Sequence, residues 1–277
     1  MGGSGRVWQV AAAACVAGSL AIGTAAAQDP NPGAITLTGS MDASNVYLFR
    51  GIPQDDTGII LWPAADLGIE LSSGRGTIRS TTVNFGTWNS LHSGSAGSDG
   101  PSGKLWYESD FYASFGVGLA KGVTAGATYT IYASPNGSFP TVKELSFRAG
   151  VPVFGVSSYA LVAFELEGQA DGGVTKGKYL ELGAAPSYSL TKAVTITVPV
   201  KVGLSLDGYY EGLIGDERFG FFSVGGNLAV PLTSDRNPFG RWNVHGGADF
   251  VRLGDSNALR LGENTKVIIS AGVGLSY

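Results

Sequence analysis

The alternation of apolar and polar residues at every second position dominates this chain. In the last segment, Val267–Tyr277, the odd positions are apolar and the even positions are mostly small or polar. A period of two indicates a β-strand with two different faces. At this length a tilted strand crosses a bilayer, with its apolar face toward lipid and its other face toward a lumen. A soluble β-sandwich shows the same alternation, so this strand alone leaves both architectures open.

The same analysis predicts twelve strands, and their even number returns both chain ends to one side of a membrane. Outer-membrane barrels have short turns on one side of the membrane and longer loops on the other. The connections after strands 2, 4 and 8 are short and those after 3, 7, 9 and 11 are long, in agreement with this alternation. The connections after strands 6 and 10 are longer than the short turns that the alternation predicts there. The sequence therefore predicts an all-β fold, a transmembrane antiparallel up-and-down β-barrel of about 12 strands. The alternative is a secreted or periplasmic all-β domain. The predicted strands are Ile35–Arg50, Ile59–Leu71, Val83–Asn89, Leu105–Leu119, Val123–Ala133, Val142–Val151, Tyr159–Glu167, Tyr179–Leu190, Val194–Leu206, Phe219–Pro231, Trp242–Leu253 and Val267–Tyr277.

One irregularity interrupts the first strand. The alternation shifts by one residue near Ser44, which we interpret as a β-bulge that places Val46 and Leu48 on the outer face. The segment Gly51–Thr57 is then predicted as a polar turn.

Composition agrees with strands that face lipid on one side. Only 14% of the residues are charged, 10% are aromatic and 43 are glycine. No run of 18 apolar residues follows the N-terminal segment, so no transmembrane helix is predicted there.

The first 27 residues are predicted to be a secretory signal peptide. Arg6 precedes the apolar run Val10–Ala21, and Ala25–Ala27 forms a small-residue cleavage site, so we expect cleavage after Ala27. Cys15 lies inside the apolar run and is removed with it. The mature domain, residues 28–277, then lacks cysteine and is expected in the bacterial outer membrane.

Asn45–Gln54 reads NVYLFRGIPQ and resembles the Y-x-F-R-G-I-S-Q signature of the TorF-type porin family, with Pro53 in place of serine. The strand that ends at Trp88 and Asn89 matches a family strand with a Trp and an Asn. The resemblance implies an uncharacterised outer-membrane barrel of Gram-negative bacteria with a porin-like role and no named substrate. A terminal aromatic residue such as Tyr277 is typical of outer-membrane barrels, in which the assembly machinery recognises the last strand.

Register predicts which polar side chains face the lumen, and acidic residues outnumber basic ones among them. Carboxylates in a water-filled lumen favour cations over anions. The alternative is a packed polar interior without conduction, crosslinked by pairs such as Glu144 with Arg148. The pore-lining candidates are Glu70, Trp106, Glu108, Asp110, Glu144, Arg148, Glu165, Glu181, Lys201, His245 and Asp249.

Arg50 is the candidate at the pore mouth. It either grips an anion with its guanidinium or forms a strand-end salt bridge to Asp55 or Asp56, and we favour the salt bridge. Aromatic residues near strand ends are interpreted as interface belts: Trp62, Trp106, Tyr107, Trp242 and Tyr277. Tyr209 and Tyr210 are either further belt residues or loop residues that stack a sugar.

Candidate chemistry is sparse. There are two histidines: His92 lies in a Ser/Gly loop, and His245 lies on the inward side of its strand. Neither forms a recognisable nucleophile–base pair in the sequence. We therefore predict no enzyme, no metal site and no cofactor, and the lack of a basic patch argues against nucleic acid. The predicted function is passive diffusion of small hydrophilic solutes through a weakly cation-preferring channel, with membrane lipid and the assembly machinery as further partners. The alternatives are a non-conducting structural or adhesive barrel and an outer-membrane lipid-modifying enzyme.

Overall fold

The structure, a computed structural model, describes residues 33–191, 194–212, 215–234 and 237–277. The predicted signal peptide lies outside the described residues. The elements, in chain order, are β1 (Ile35–Ser44), β2 (Tyr47–Phe49), β3 (Ile52–Asp55), β4 (Ile60–Ser73), β5 (Ile78–His92), α1 (Ser95–Ser98), β6 (Trp106–Leu119), a 3-10 turn (Ala120–Gly122), β7 (Thr124–Ala133), β8 (Val142–Val153), β9 (Val156–Glu167), β10 (Lys178–Ala185), β11 (Ser187–Ser189), β12 (Thr195–Thr197), β13 (Val200–Asp207), β14 (Glu211–Gly212), β15 (Gly215–Asp216), β16 (Phe219–Pro231), β17 (Arg241–Leu253), α2 (Asp255–Leu261) and β18 (Thr265–Ser276).

Twelve antiparallel wall strands form a closed barrel, as the sequence predicted. The seam joins the first strand to the last: Gly39 of β1 lies opposite Leu275 of β18 on one side and Ala65 of β4 on the other. Pro186 separates β10 from β11, and Pro199 separates β12 from β13, so each pair counts as one wall strand. Proline lacks the N–H that a continuous ladder needs, which explains both interruptions.

The outer face of the barrel is apolar, because large hydrophobic side chains are exposed on wall strands all around it. This surface suits lipid rather than water. Among the described residues, no helix is both long and apolar enough to span a membrane. Exposed examples from around the wall are Leu37, Leu67, Phe85, Phe111, Tyr129, Phe147, Leu182, Phe222, Phe250, Val267 and Ile269.

The first predicted strand and the turn after it were wrong in part. The wall strand ends at Ser44, and β2 and β3 form a separate two-stranded sheet, which we call the inner hairpin. Val46 is 1% exposed and Leu48 packs against the buried core, so neither lies on the outer face. The shift of phase marks the place where the chain leaves the wall and folds into the lumen.

Long connections lie at the end of the barrel that carries the inner hairpin, which we call the loop end. Shorter turns, the start of β1 and the end of β18 lie at the opposite turn end. The connection between β8 and β9 is only Phe154 and Gly155, both with positive φ, so the long sixth connection predicted from sequence was wrong. Two residues with φ > 0 are typical of a tight hairpin.

Glycines on the inner face let neighbouring side chains lie flat against the wall. The Tyr112 ring covers Gly86 so closely that a Cβ there would collide with it, and the Tyr159 ring covers Gly183 in the same way. The Tyr112 hydroxyl donates to Asp66 at 2.9 Å. Part of the glycine content therefore allows aromatic rings to line the lumen without narrowing it further.

Candidate functional site

The inner hairpin turns through two residues in the left-handed region, Arg50 (φ 49°) and Gly51 (φ 83°). A two-residue turn with both φ values positive matches the twist of the flanking strands. Gly51 suits this turn because a Cβ there would lie 2.9 Å from the Cβ of Phe221. The turn therefore brings the Arg50 backbone against the barrel wall.

The Arg50 side chain forms a bidentate ion pair with Glu144 of β8. Its Nη1 and Nη2 atoms donate to the Glu144 oxygens at 2.6 and 2.8 Å, and Nη1 also donates to the Tyr209 hydroxyl at 2.9 Å. The Arg50 and Glu144 side chains are only 2% and 3% exposed. Two parallel charge-assisted bonds are the strongest form of such a pair. This pair is the main polar attachment of the hairpin to the wall.

The predicted environment of Arg50 was therefore wrong. It lies inside the lumen rather than at the pore mouth, and its partner is neither Asp55 nor Asp56. Asp56 instead accepts a hydrogen bond from Lys266 at 2.9 Å. Arg50 and Glu144 lie 94 positions apart, and no local pattern indicates their contact.

Aromatic rings enclose the Arg50 guanidinium. Its Cζ lies 4.4 Å from the centre of the Tyr179 ring and 5.6 Å from that of Tyr209. The Tyr210 hydroxyl donates to the Arg50 carbonyl at 2.8 Å. Tyr209 and Tyr210 are each 1% exposed, so they are neither belt residues nor loop residues available to stack a sugar. They are part of the core that fills the loop end of the lumen.

A second attachment joins the hairpin to β5 through a chain of three side chains. Ser90 Oγ lies 2.6 Å from His92 Nε2, and His92 Nδ1 lies 2.9 Å from Asp55 Oδ2. The Trp62 indole N–H donates to Ser90 Oγ at 3.0 Å. This is the connectivity of a Ser-His-Asp triad. Ser90 and His92 are both 0% exposed, so the described conformation gives a substrate no path to the serine.

Hydrogen bonds stabilise the ionised carboxylate of Asp55 at the end of the hairpin. Burial alone would raise the pKa of Asp55. Bonds from the Thr57 hydroxyl at 2.7 Å, the Thr57 N–H, His92 and the Ala96 N–H together hold the pKa below its ordinary value. Asp55 thus ties the hairpin to both β5 and the loop that contains α1.

The spacing of Ser90 and His92 could have been noticed in the sequence. Residues i and i+2 on a strand share one face, so a serine two positions before a histidine can contact it. His92 was predicted to lie in a Ser/Gly loop, where this relation between strand neighbours does not apply. The third member, Asp55, was beyond sequence reasoning because the hairpin fold brings it to β5.

Four of the predicted pore-lining carboxylates lie buried near the hairpin, including Glu144. Glu108 and Asp110 are 4% and 1% exposed, and neither oxygen of Asp110 has a hydrogen-bond partner among the described residues. Glu165 accepts the Ala170 and Gly177 N–H groups, both at 2.6 Å, and so fastens its own loop. The loop half of the lumen is therefore filled and acidic.

The remaining predicted residues, apart from Trp106, lie in the middle of the barrel or toward the turn end. Glu181 accepts the Tyr159 and Tyr179 hydroxyls, and the Arg148 guanidinium stacks on the Tyr159 ring at 3.5 Å rather than pairing with Glu144. His245 contacts Asp42 at 2.6 Å. Other members of this set are Glu70, which is exposed on the inward side near the turn end, Lys201 and Asp249.

Trp106 does not line the lumen, so that prediction was wrong. The β5–β6 register shifts between Ser90 and Leu91, so Trp106 lies opposite Leu91 and Glu108 opposite Ser90. This bulge turns Trp106 outward, where it is 46% exposed and donates to Asn89 at 3.1 Å. Tyr107 points inward instead and is 6% exposed. A one-residue bulge reverses the faces of the residues beyond it.

The loops at the hairpin end also contact one another. The Asn136 side chain donates to the Ala96 and Lys104 carbonyls at 2.8 and 3.2 Å. Arg260 of α2 donates to the backbone oxygens of Asp171 and Glu211. These contacts cover the loop end of the barrel above the hairpin.

The part of the chain that the structure describes contains no group of three or more His, Cys, Asp or Glu side chains that could hold a metal ion. No family model and no curated protein matches the sequence. The fold does resemble solved outer-membrane proteins. An outer membrane channel of Pseudomonas putida F1, described as COG4313, aligns with a TM-score of 0.50 at 9% identity, over 92% of this chain and 100% of that one.

Two further solved structures resemble this chain less closely. A bacterial polysaccharide outer membrane secretin aligns with a TM-score of 0.49 at 8% identity, over 88% of this chain and 97% of that one. The outer membrane phospholipase A of Escherichia coli aligns with a TM-score of 0.47 at 9% identity, over 86% and 92%. At these identities the likeness concerns the fold alone. The chain therefore has the fold of outer-membrane proteins, a closed transmembrane antiparallel β-barrel.

Proposed function

We propose that this outer-membrane barrel is a channel for small hydrophilic solutes, and that the inner hairpin closes it on the loop side in the described conformation. The proposal is carried by one observation: the hairpin is a two-stranded sheet separate from the wall ladder. Side chains such as Arg50 and Asp55 attach it to the wall. Because these contacts can break while every wall strand stays paired, the hairpin can move without opening the barrel.

The turn half of the lumen supports passage of water and solutes. Thr36, Thr38 and Glu70, which point inward near the turn end, are exposed, whereas Asp110 and Glu144 further along are buried. Water therefore reaches the lumen at the turn end, whereas inward side chains further along, such as Glu181 and Asn227, are buried as well. The proposed opening starts from a lumen that water enters at the turn end.

Charge in the lumen supports a weak preference for cations. The basic residues on the inward side include Arg148, Lys201, Arg241 and Lys266, which are fewer than the acidic ones, and Arg50 of the hairpin is neutralised by its carboxylate partner. Rings of carboxylates lower the energy of a cation in a pore and raise that of an anion. The inward acidic residues are Asp42, Asp66, Glu70, Glu108, Asp110, Glu144, Glu165, Glu181 and Asp249.

Single-channel conductance tests this function. Residues 28–277 are refolded and inserted into planar bilayers under a salt gradient, and a Gly51→Cys, Phe221→Cys variant is compared before and after reduction. A Cβ at Gly51 would lie 2.9 Å from the Phe221 Cβ, whereas a disulfide needs about 3.5–4.5 Å, so the turn must shift by roughly half an ångström or more to form the bond that locks the hairpin to the wall. We expect brief cation-selective openings of the wild type and of the reduced variant, and none of the oxidised one.

Two outcomes would contradict the proposal. If the oxidised variant conducts like the wild type, the hairpin is not the closing element. If neither the wild type nor the reduced variant conducts, and Glu144→Gln does not conduct either, the barrel is a non-conducting structural or adhesive protein instead.

A hydrolase is the second candidate function, and the Ser90–His92–Asp55 chain favours it. Its geometry suits a serine nucleophile activated by histidine, provided that hairpin movement admits a substrate. A fluorophosphonate probe in lipid vesicles tests this, with Ser90→Ala as the comparison. Labelling of the wild type alone would support an enzyme, and equal labelling of both would dismiss it.

We also propose membership of the TorF-type porin family, because the ten-residue motif that carries the resemblance coincides with the inner hairpin. If relatives share this fold, they should keep an acidic residue opposite the motif arginine. We further propose removal of residues 1–27 and recognition of the C-terminal strand by the assembly machinery. N-terminal sequencing of the outer-membrane protein and a Tyr277 deletion would test the two points.

A further inference from the structure

A cavity of about 60 Å³ lies between the inner hairpin and the wall formed by β13, β16, β17 and β18. Its volume admits roughly four to six water molecules, or one solute of comparable size. The hairpin contributes Tyr47 and the turn at Arg50 and Gly51, and the wall contributes Lys201 and Asp249. The cavity thus lies directly against the closed hairpin, on the inner side of the wall.

Lys201 and Asp249 enter this cavity with opposite charges that do not neutralise each other. Their charged atoms are more than 4.0 Å apart, beyond ion-pair distance, although the two opposite charges are close enough to attract each other. Neither Asp249 nor Lys201 forms a hydrogen bond or ion pair within the described ranges. Asp249 Oδ1 is buried over Gly225, so Oδ2 is the carboxylate oxygen left for a ligand. Both side chains are half-buried, and a partly desolvated charge without a partner favours a ligand of opposite charge.

A simple ion satisfies only one of these groups. An anion at Lys201 faces the Asp249 carboxylate, and a cation at Asp249 faces the Lys201 ammonium. A molecule with a carboxylate at one end and an ammonium at the other satisfies both, and Ser223 and Ser270 add hydroxyl groups along the same wall. The rings of Trp62 and Phe221 restrict the space to a small ligand.

We infer that this cavity binds a small zwitterion of the amino-acid type, with its carboxylate toward Lys201 and its ammonium toward Asp249. The inference rests on the proposed function insofar as it names a class of solute for that lumen. Binding at equilibrium does not require conduction, so the site is tested separately from the channel.

Isothermal titration calorimetry of the refolded mature chain in detergent tests the site, with glycine as the probe and acetate and methylammonium as single-charge comparisons. We expect saturable 1:1 binding of glycine. Loss of one charge-assisted contact should weaken glycine binding by about ten- to a hundredfold in Lys201→Met and in Asp249→Asn. Acetate and methylammonium should bind the wild type at least about tenfold more weakly than glycine does.

Two further comparisons make the test specific. Lys178→Met and Asp207→Asn remove an exposed ion pair on neighbouring strands, with side chains 49% and 56% exposed, and should leave glycine binding unchanged. A variant with the charges exchanged, Lys201→Asp with Asp249→Lys, should bind glycine, because a zwitterion can reverse its orientation. This variant also shows that lost binding in the single variants is not lost folding.

Three results would overturn the inference. They are absence of saturable glycine binding, acetate binding as tight as glycine binding with dependence on Lys201 alone, and glycine binding that the exchanged variant loses while its barrel stays folded. Each of these can occur in a protein that conducts, so failure of the site and failure of the channel are distinguishable.

Discussion

Neutralising one partner of the Arg50–Glu144 pair should release the inner hairpin. In Glu144→Gln the Arg50 guanidinium keeps its contact with Tyr209 but loses the carboxylate that balances its charge in a site only 2–3% exposed. Removing one partner of a buried pair costs about 3–5 kcal/mol. At about 1.4 kcal/mol for each tenfold, this shifts the equilibrium between docked and released hairpin by roughly two to three and a half powers of ten.

Urea unfolding in lipid vesicles measures the loss of free energy, and conductance measures the released fraction. The neighbouring residue supplies a matched control. Lys143 and Glu167 pair at 2.6 Å, but their side chains are 34% and 60% exposed. Lys143→Met should therefore cost less than about 1 kcal/mol. If Glu144→Gln loses no more unfolding free energy than Lys143→Met and does not raise the conductance, the Arg50–Glu144 pair does not hold the hairpin.

The double variant separates the free-energy cost of an unpaired buried charge from the cost of losing the other contacts of Arg50. With both Arg50 and Glu144 replaced by methionine, no unpaired charge remains, and such replacements are often neutral or stabilising. We expect this variant to recover most of the unfolding free energy that Glu144→Gln loses. A double variant as unstable as the single one would show that the arginine contributes mainly through its aromatic contacts.

Three other predictions follow from individual contacts. The folded-state pKa of Asp55 lies below the unfolded value of about 3.9, so its stabilisation is complete above that pH and is lost as the pH falls through the folded pKa. Asp55→Asn should therefore flatten the fall in melting temperature between about pH 4 and pH 2, and an unchanged slope would contradict this. Gly86→Ala should destabilise the barrel by about 1–3 kcal/mol because a tyrosine ring covers the site, whereas Gly226→Ala, with nothing within 4 Å, should not, as urea unfolding would reveal. Lipids brominated near the headgroup should quench the fluorescence of a single-tryptophan variant that retains Trp106 but not of one that retains Trp88, and equal quenching would argue against the bulge that turns Trp106 outward.

The lumen shows where sequence reasoning reached its limit. Alternation placed Glu108, Asp110 and Glu144 correctly on the inner side, because the faces of a strand follow from parity. It failed for Trp106, since a bulge adds one residue and reverses parity without a reliable local signal. It also failed for Val46, because the phase shift of a bulge resembles that of a chain leaving the wall.

The sequence by itself determined that the chain folds as a twelve-stranded barrel with an apolar outer face. Those properties depend on a period of two repeated along strands of sufficient length, which is local information. Only the tertiary structure decided that Arg50–Gly51 turns inward, that Arg50 pairs with Glu144, and that Asp55 meets Ser90 and His92. These contacts join residues tens of positions apart and exist because closure of the barrel brings its walls around the hairpin. Local periodicity holds no information about which side chains meet across a lumen.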